Sequence, residues 1–243
     1  MKLLLENWRQ YLNENINEQD VIRVLKKYHE PSLGVKRVDF DEIEDPNELM
    51  ILKAVFLYTS SMSNAERVLD PSVKHKIDPE SHTIRDPGAI GDTSRKPYTM
   101  LPTQQDYKNA NIIMAKLGSF PNPFPNRPAY RSWRLSKEQL DNLLEKETFD
   151  LGPARSWSLT PKNVTRFGLY KLTKERNILI LFIIPNPTKG MPIYNVSMSP
   201  EEEEIIIGGK IRIIKTGKLL KGPAGHRELG PGEGFVKLIC ETV

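Results

Sequence analysis

Apolar residues recur at helical spacing through the first half of the chain. In the second half they fall at alternate positions or in unbroken runs. Leu4, Leu5, Trp8, Tyr11 and Leu12 form one stripe, which predicts a helix over Leu3–Leu12. After Asn13-Glu14-Asn15, the placement of Val21, Ile22, Val24 and Leu25 predicts a second helix over Glu18–Tyr28. Asp45-Pro46-Asn47-Glu48 is a helix start: Asp45 can cap free amides, Pro46 suits the first turn, and Glu48 can close a capping box. Leu49, Ile51, Leu52, Val55 and Phe56 carry that helix inward to about Thr59. A further helix is predicted over Gln104–Leu117, ending at Gly118. Between these two, residues 70–102 are rich in Pro, Asp, Ser, Gly and Thr and read as a long irregular segment.

From Ala129 the period changes. Phe120–Pro128, with four prolines, reads as extended chain leading into a strand at Ala129–Leu135. Ser136-Lys137-Glu138-Gln139 is a capping box that opens a helix with Leu140, Leu143 and Leu144 inward. Ala154–Leu159 is a strand candidate. Thr160-Pro161 then starts a helix carrying Val164, Phe167 and Leu169. Ile178–Ile184 reads as a strand buried on both faces. Strands are also predicted over Pro192–Met198, Ile205–Ile207, Lys210–Lys215 and Phe235–Glu241. Late strands after early helices indicate an α+β fold rather than a βαβ series. The organisation expected is an N-terminal leader or helix over 1–18, followed by one domain over 19–243.

Composition narrows the function mainly by exclusion. The 243 residues include 35 Lys+Arg and 31 Asp+Glu, a net charge of +4, too small an excess to imply nucleic acid. Lys210, Arg212, Lys215, Lys218 and Lys221 look basic, but the Ile and Leu between them fit a half-buried sheet better than a nucleic-acid surface. Cys240 is the one cysteine, so an intrachain disulfide, a CxxC pair and a Cys-based zinc site are excluded. The four histidines are widely spaced and none forms HExxH, so no metal is expected. Ile178–Ile184, the longest apolar run, is far short of the roughly 20 residues of a membrane span. A reducing, cytosolic setting and no membrane partner follow as expectations.

The sequence lacks the glycine-rich phosphate loops, GxSxG and the kinase motifs. Three other pieces stand in order: Tyr130-Arg131-Ser132, then Ser156-Trp157-Ser158, then Glu201-Glu202-Glu203-Glu204 running directly into Ile205-Ile206-Ile207-Gly208-Gly209. This arrangement resembles the Arg–Ser–Glu class of mono-ADP-ribosyltransferases, which includes bacterial toxins and the transferases that tailed phages inject. In that family an Arg follows an aromatic on the first core strand, a Ser-x-Ser/Thr motif opens the next, and a Glu-x-Glu pair precedes an apolar strand and a Gly. The resemblance spans about residues 127–214. It implies two perpendicular β-sheets forming an NAD cleft, with the early helices packed against them.

The resemblance also implies roles, and the residue types suit them. NAD enters as substrate, and Arg131 would grip its pyrophosphate with a fork of donors; Arg134, three residues on, would face the other side of the strand. Glu204, next to the apolar strand, would hydrogen-bond the nicotinamide ribose and stabilise the oxocarbenium-like centre formed as the bond breaks. Glu202 would orient or deprotonate the acceptor, and a Glu there implies acceptor proteins with exposed arginine. Spacing by two puts Glu202 and Glu204 on one face of an extended segment; Glu201 with Glu203 is the alternative pair. Ser156 would bond the catalytic Glu and frame the ribose, and Ser158 would support the strand, with Ser158-Leu159-Thr160 as a competing register. Trp157 departs from the small residue common in this slot. The Ser132 backbone would approach the nicotinamide amide. An aromatic that stacks on nicotinamide is expected, and Phe167 reads instead as core.

Leu12-Asn13-Glu14 and Ile16-Asn17-Glu18 both fit the Leu/Ile-x-Glu sites at which large tailed phages trim capsid-targeting leaders. Met1–Glu14 resembles such a leader, and the competing reading is a first helix docked by its Leu/Trp stripe. The implied setting is the host cytosol, after packaging in a virion and cleavage behind Glu14 or Glu18. The two rival functions are an NAD glycohydrolase on the same fold and a non-catalytic internal virion protein.

Overall fold

The computed structural model describes residues 17–30, 33–59, 104–162, 164, 172–197, 200–220, 223–224, 227–228 and 233–243. The expected leader Met1–Glu14, the segment 70–102, and Phe167 and Leu169 of the helix expected after Thr160 lie outside the described residues. Four α-helices and ten strands are seen among the described residues. The chain divides into two compact units, one formed by residues 1–116 with 193–200, the other by 117–192 with 201–243.

In the first unit, helices α1 (Glu18–Tyr28) and α2 (Pro46–Thr59) form where the apolar pattern predicts them. Asn17 caps α1 by accepting from the Gln19 amide at 3.0 Å. Acidic residues fill its first turn and lysines its last, which complements the helix dipole. Asp45 caps α2 through the Asn47 and Glu48 amides at 2.8 and 3.2 Å. Glu48 was expected to complete a capping box. Instead it is buried and accepts from Lys27 Nζ at 2.8 Å and from the Tyr28 hydroxyl at 3.0 Å. A buried carboxylate is better stabilised by a cation than by one amide, and the pair ties α2 to α1. Helix α3 (Gln104–Leu117) also lies at its expected place.

A strand was expected over Pro192–Met198; the described residues up to 197 form a strand at Met191–Pro192 and then a 3-10 turn at Tyr194–Val196. Asn195 decides this. Its side-chain Nδ2 donates to the Tyr28 and Gly34 carbonyls, its Oδ1 accepts from the Lys36 amide, and its own N–H donates to His29 Nε2 at 3.1 Å. These bonds satisfy the backbone locally where a sheet ladder would otherwise have to. His29, fully buried, is held neutral by desolvation, with its pKa lowered to about 4.

The second unit is built on an eight-stranded sheet. Its strands are β1 (Ala129–Leu135), β2 (Thr148–Asp150), β3 (Arg155–Ser158), β4 (Ile178–Ile184), β5 (Met191–Pro192), β6 (Glu204–Ile207), β7 (Lys210–Thr216) and β10 (Gly234–Thr242). A separate ribbon pairs β8 (Pro223–Ala224) with β9 (Arg227–Glu228). The sheet order is β2-β7-β10-β4-β1-β3-β6-β5, and only β4 with β10 runs parallel. Strand β4 is buried almost throughout, as its unbroken apolar run requires. Helix α4 (Lys137–Lys146) follows β1 and carries both halves of the Ser136/Gln139 capping box.

The expected α+β fold is present, and the strands expected as two perpendicular sheets join in one eight-stranded order. The continuity is thin at one place. Strands β1 and β4 register over seven pairs, whereas β1 and β3 register at one pair, Tyr130 with Ser158. A five-stranded ladder and a three-stranded ladder therefore meet at a single junction, and the sequence motifs lie on either side of it. On one face Leu179, Leu181 and Phe235 form a core cluster against Tyr130, Val164, Leu172 and Ile183. Elsewhere Trp133, Phe149 and Phe182 pack as an aromatic triad, with ring centroids 5.0–5.3 Å apart.

Candidate functional site

The junction of the two ladders brings the three motifs together. Past Tyr130, strand β1 stays in register with β4, where Arg131 lies opposite Phe182. Ser156 is in register with Ile206 on β6. Parting strands leave backbone groups without a ladder partner, and such groups must be satisfied some other way. Arg131 supplies one solution: its guanidinium crosses the parting and donates to the Ser156 carbonyl.

Glu204 opens β6 directly opposite Ser158. The Ser156 side chain, its diagonal neighbour across the two strands, hydrogen-bonds the Glu204 carboxyl. Glu204 is buried, and its pKa is raised to about 7. Burial is the main cause, and the nearby charge of Glu202 adds to it. The Ser156 hydrogen bond and the positive charge of Arg131 act in the opposite direction. A carboxyl group in this state is poised near neutrality, as acid–base and electrostatic catalysis require.

The four-glutamate block is a turn rather than an extended segment. Glu201 and Glu202 close a 3-10 turn that begins at Pro200, and Glu203 takes a left-handed conformation with φ of 47°. Glu203 is thereby turned into an ion pair with Arg127. The charge of Glu202 acts on Glu204, and the turn, not strand alternation, brings this about. The alternative pair of Glu201 and Glu203 is split: Glu201 is exposed and Glu203 is bound to Arg127. Burial, then the charge of Glu201, also raise the pKa of Glu202.

Ser158 fixes the turn from below. Its hydroxyl donates to the Glu202 carbonyl at 2.5 Å and accepts from the Thr160 amide at 3.0 Å. The Leu159 amide donates to the Glu203 carbonyl at 2.9 Å. Ser132, in register with Leu181 on β4, donates its hydroxyl to the Val164 carbonyl at 3.0 Å. Trp157, between the two serines, points to the other face of β3 by strand alternation. It is fully buried, with its ring 6.5 Å from that of Phe182. The departure from a small residue therefore adds to the core and leaves Ser156 and Ser158 in place.

Arg127 went unrecognised in the sequence. It sits between Asn126 and Pro128 in a proline-rich connector and pairs with a residue 76 positions away. No local pattern signals such a contact.

The described residues contain no group of three or more His, Cys, Asp or Glu side chains that could hold a metal ion. Among them, no helix is long and apolar enough to cross a membrane.

No protein-family model matches the chain, and no curated protein matches it. Among solved structures, it is similar to the ADP-ribosyltransferase Vis of Vibrio splendidus, with 18% identity over 94% of this chain and 86% of that one, at a TM-score of 0.49. It is also similar to the ADP-ribosyltransferase HopU1 of Pseudomonas syringae, at 13% identity, 92% and 87% coverage and a TM-score of 0.44. A third is the eukaryotic mono-ADP-ribosyltransferase ART2.2, at 15% identity, 96% and 84% coverage and a TM-score of 0.39.

Proposed function

We propose that this chain is a mono-ADP-ribosyltransferase that cleaves NAD at the nicotinamide–ribose bond and transfers ADP-ribose to arginine side chains of acceptor proteins. One observation carries the proposal: Arg131, Ser156 and Glu204, from three strands, converge at the junction of the two ladders, with Glu204 buried, bonded by Ser156 and poised near neutrality. A structural role alone would favour an apolar residue over a buried carboxyl with raised pKa.

The roles follow from charge. Arg131 carries the positive charge suited to the NAD pyrophosphate. As the bond breaks, its electron pair leaves with nicotinamide and positive charge develops at the ribose carbon. Ionised Glu204, held by Ser156, accepts a hydrogen bond from the ribose hydroxyl and stabilises that charge. Glu202 takes a proton from the arginine guanidinium, whose nitrogen then bonds to the ribose carbon. With water in place of arginine, the same site hydrolyses NAD.

Two results are expected. First, kcat/KM for NAD cleavage rises with pH through about 7 as Glu204 ionises; a flat profile from pH 5.5 to 8.5 would remove the role assigned to it. Second, Glu202→Gln lowers transfer to agmatine, an arginine-like amine, by roughly 100-fold while hydrolysis changes by less than about threefold. Equal loss of both would show that Glu202 serves NAD cleavage rather than the acceptor. The direct test is labelled NAD with agmatine and with a cell lysate: no transfer and no hydrolysis by the wild-type protein would end the proposal.

A further inference from the structure

We infer that Arg127 is a positioning residue whose ion pair with Glu203 holds the acidic turn, and that it thereby sets the ratio of arginine transfer to NAD hydrolysis. This rests on the roles proposed above for Glu202 and Glu204.

Four consecutive carboxylates repel one another, and a turn that packs them together needs compensation. Glu203 is turned aside by a left-handed backbone that non-glycine residues seldom adopt. Such a conformation persists only where the surroundings over-determine it. Its surroundings do so from two directions. On the strand side, the Ser158 hydroxyl and the Leu159 amide hold the carbonyls of Glu202 and Glu203. On the other side, Arg127 holds the Glu203 carboxylate and neutralises one of the four charges.

Arg127 is itself well anchored. Its amide donates to the Phe124 carbonyl at 3.3 Å, and β1 begins two residues after it. Upstream, the buried side chain of Asn122 donates to the Pro187 carbonyl at 2.8 Å and accepts from the Phe124 amide at 2.9 Å. The Asn122 amide donates to the Thr188 carbonyl at 3.0 Å. The proline-rich connector is thus a fixed strap, and Arg127 is its contact with the turn. Glu204 is held independently, by β6 and Ser156. Loosening the turn should therefore misplace Glu202 and leave NAD cleavage intact.

The experiment is a double-mutant cycle read on two reactions. Arg127→Ala and Glu203→Ala should each lower kcat for transfer to agmatine by roughly tenfold, with NAD hydrolysis and KM for NAD within about twofold of wild type. The double variant should be no worse than either single one, because the two residues act as one pair. Arg127→Lys, which keeps the charge, should recover part of the loss. Parallel loss of transfer and hydrolysis, a raised KM for NAD, or multiplicative losses in the double variant would each overturn the inference. A Glu-specific endoproteinase gives a readout without catalysis: Arg127→Ala should open the 201–204 turn to cleavage in the folded protein. A turn as resistant as wild type would overturn the positioning role, whether or not the protein cleaves NAD.

Discussion

Glu204→Gln should cripple NAD cleavage, with kcat/KM falling about 100- to 1000-fold, while making the protein more stable at alkaline pH. On the role proposed for Glu204, the rate effect follows from removing the carboxylate set against the developing ribose cation; losing such a group from a buried, preorganised site typically costs about 100- to 1000-fold. Gln keeps the size of the side chain and an acceptor for Ser156, so the loss would report charge rather than packing. The stability effect has the opposite sign for the same reason. The folded protein raises the Glu204 pKa from 4.5 to about 7, so it favours the protonated form. That contribution is fully present below about pH 4.5 and is lost as pH rises through 7. At pH 8 the wild type therefore bears a buried charge that the Gln variant lacks, worth up to about 3 kcal/mol. Denaturant unfolding of both proteins at pH 4.5 and pH 8 checks this. A Gln variant that keeps NAD cleavage would show that Glu204 is not the catalytic carboxylate, and one less stable than wild type at pH 8 would show that it is not a strained one.

Gly208→Ala should destabilise the second unit by about 3 kcal/mol and take activity with it. Three backbone segments meet at this residue. Gly208 N–H donates to the Gly118 carbonyl at 3.0 Å, and Gly209 N–H donates to the Gly152 carbonyl at 2.7 Å. A Cβ at Gly208 would lie 2.2 Å from the Pro153 carbonyl oxygen and 2.7 Å from its carbon. These are backbone atoms of the turn leading into β3, so no side chain can move aside, and overpacking of this kind costs from about 1 to 3 kcal/mol or more. Displacing that turn moves β3 against β6, and with it Ser156 against Glu204. Gly34→Ala is the control: its φ is 64°, but nothing lies within 4 Å of an added Cβ. It should cost about 1 kcal/mol of backbone strain. Urea midpoints decide the matter, and equal losses at both positions would deny the close approach at Gly208.

The two effects concern opposite ends of one strand. Glu204 begins β6 and Gly208 follows its end. The apolar run Ile205–Ile207 between them is buried, which fixes the carboxylate at one end and the tight backbone crossing at the other. The ordered motif Glu-Ile-Ile-Ile-Gly-Gly thus has a physical basis beyond resemblance.

Periodicity alone located α1, α2, α3, α4 and the strands β1, β3, β4, β6, β7 and β10, because each is set by local spacing and by caps such as Asn17, Asp45 and Ser136. The order of three motifs and their resemblance to a known family, not periodicity, singled out Arg131, Ser156, Glu202 and Glu204 for the roles proposed above. The tertiary structure decided what depends on partners far along the chain. Tyr194–Val196 form a 3-10 turn because Asn195 finds Tyr28, His29, Gly34 and Lys36. Glu48 left its expected cap for Lys27. The conformation of the glutamate run includes a left-handed Glu203 paired with Arg127, a contact no local pattern encodes. Local spacing specifies which face a residue shows; burial, charge and reach across the fold specify what it meets there.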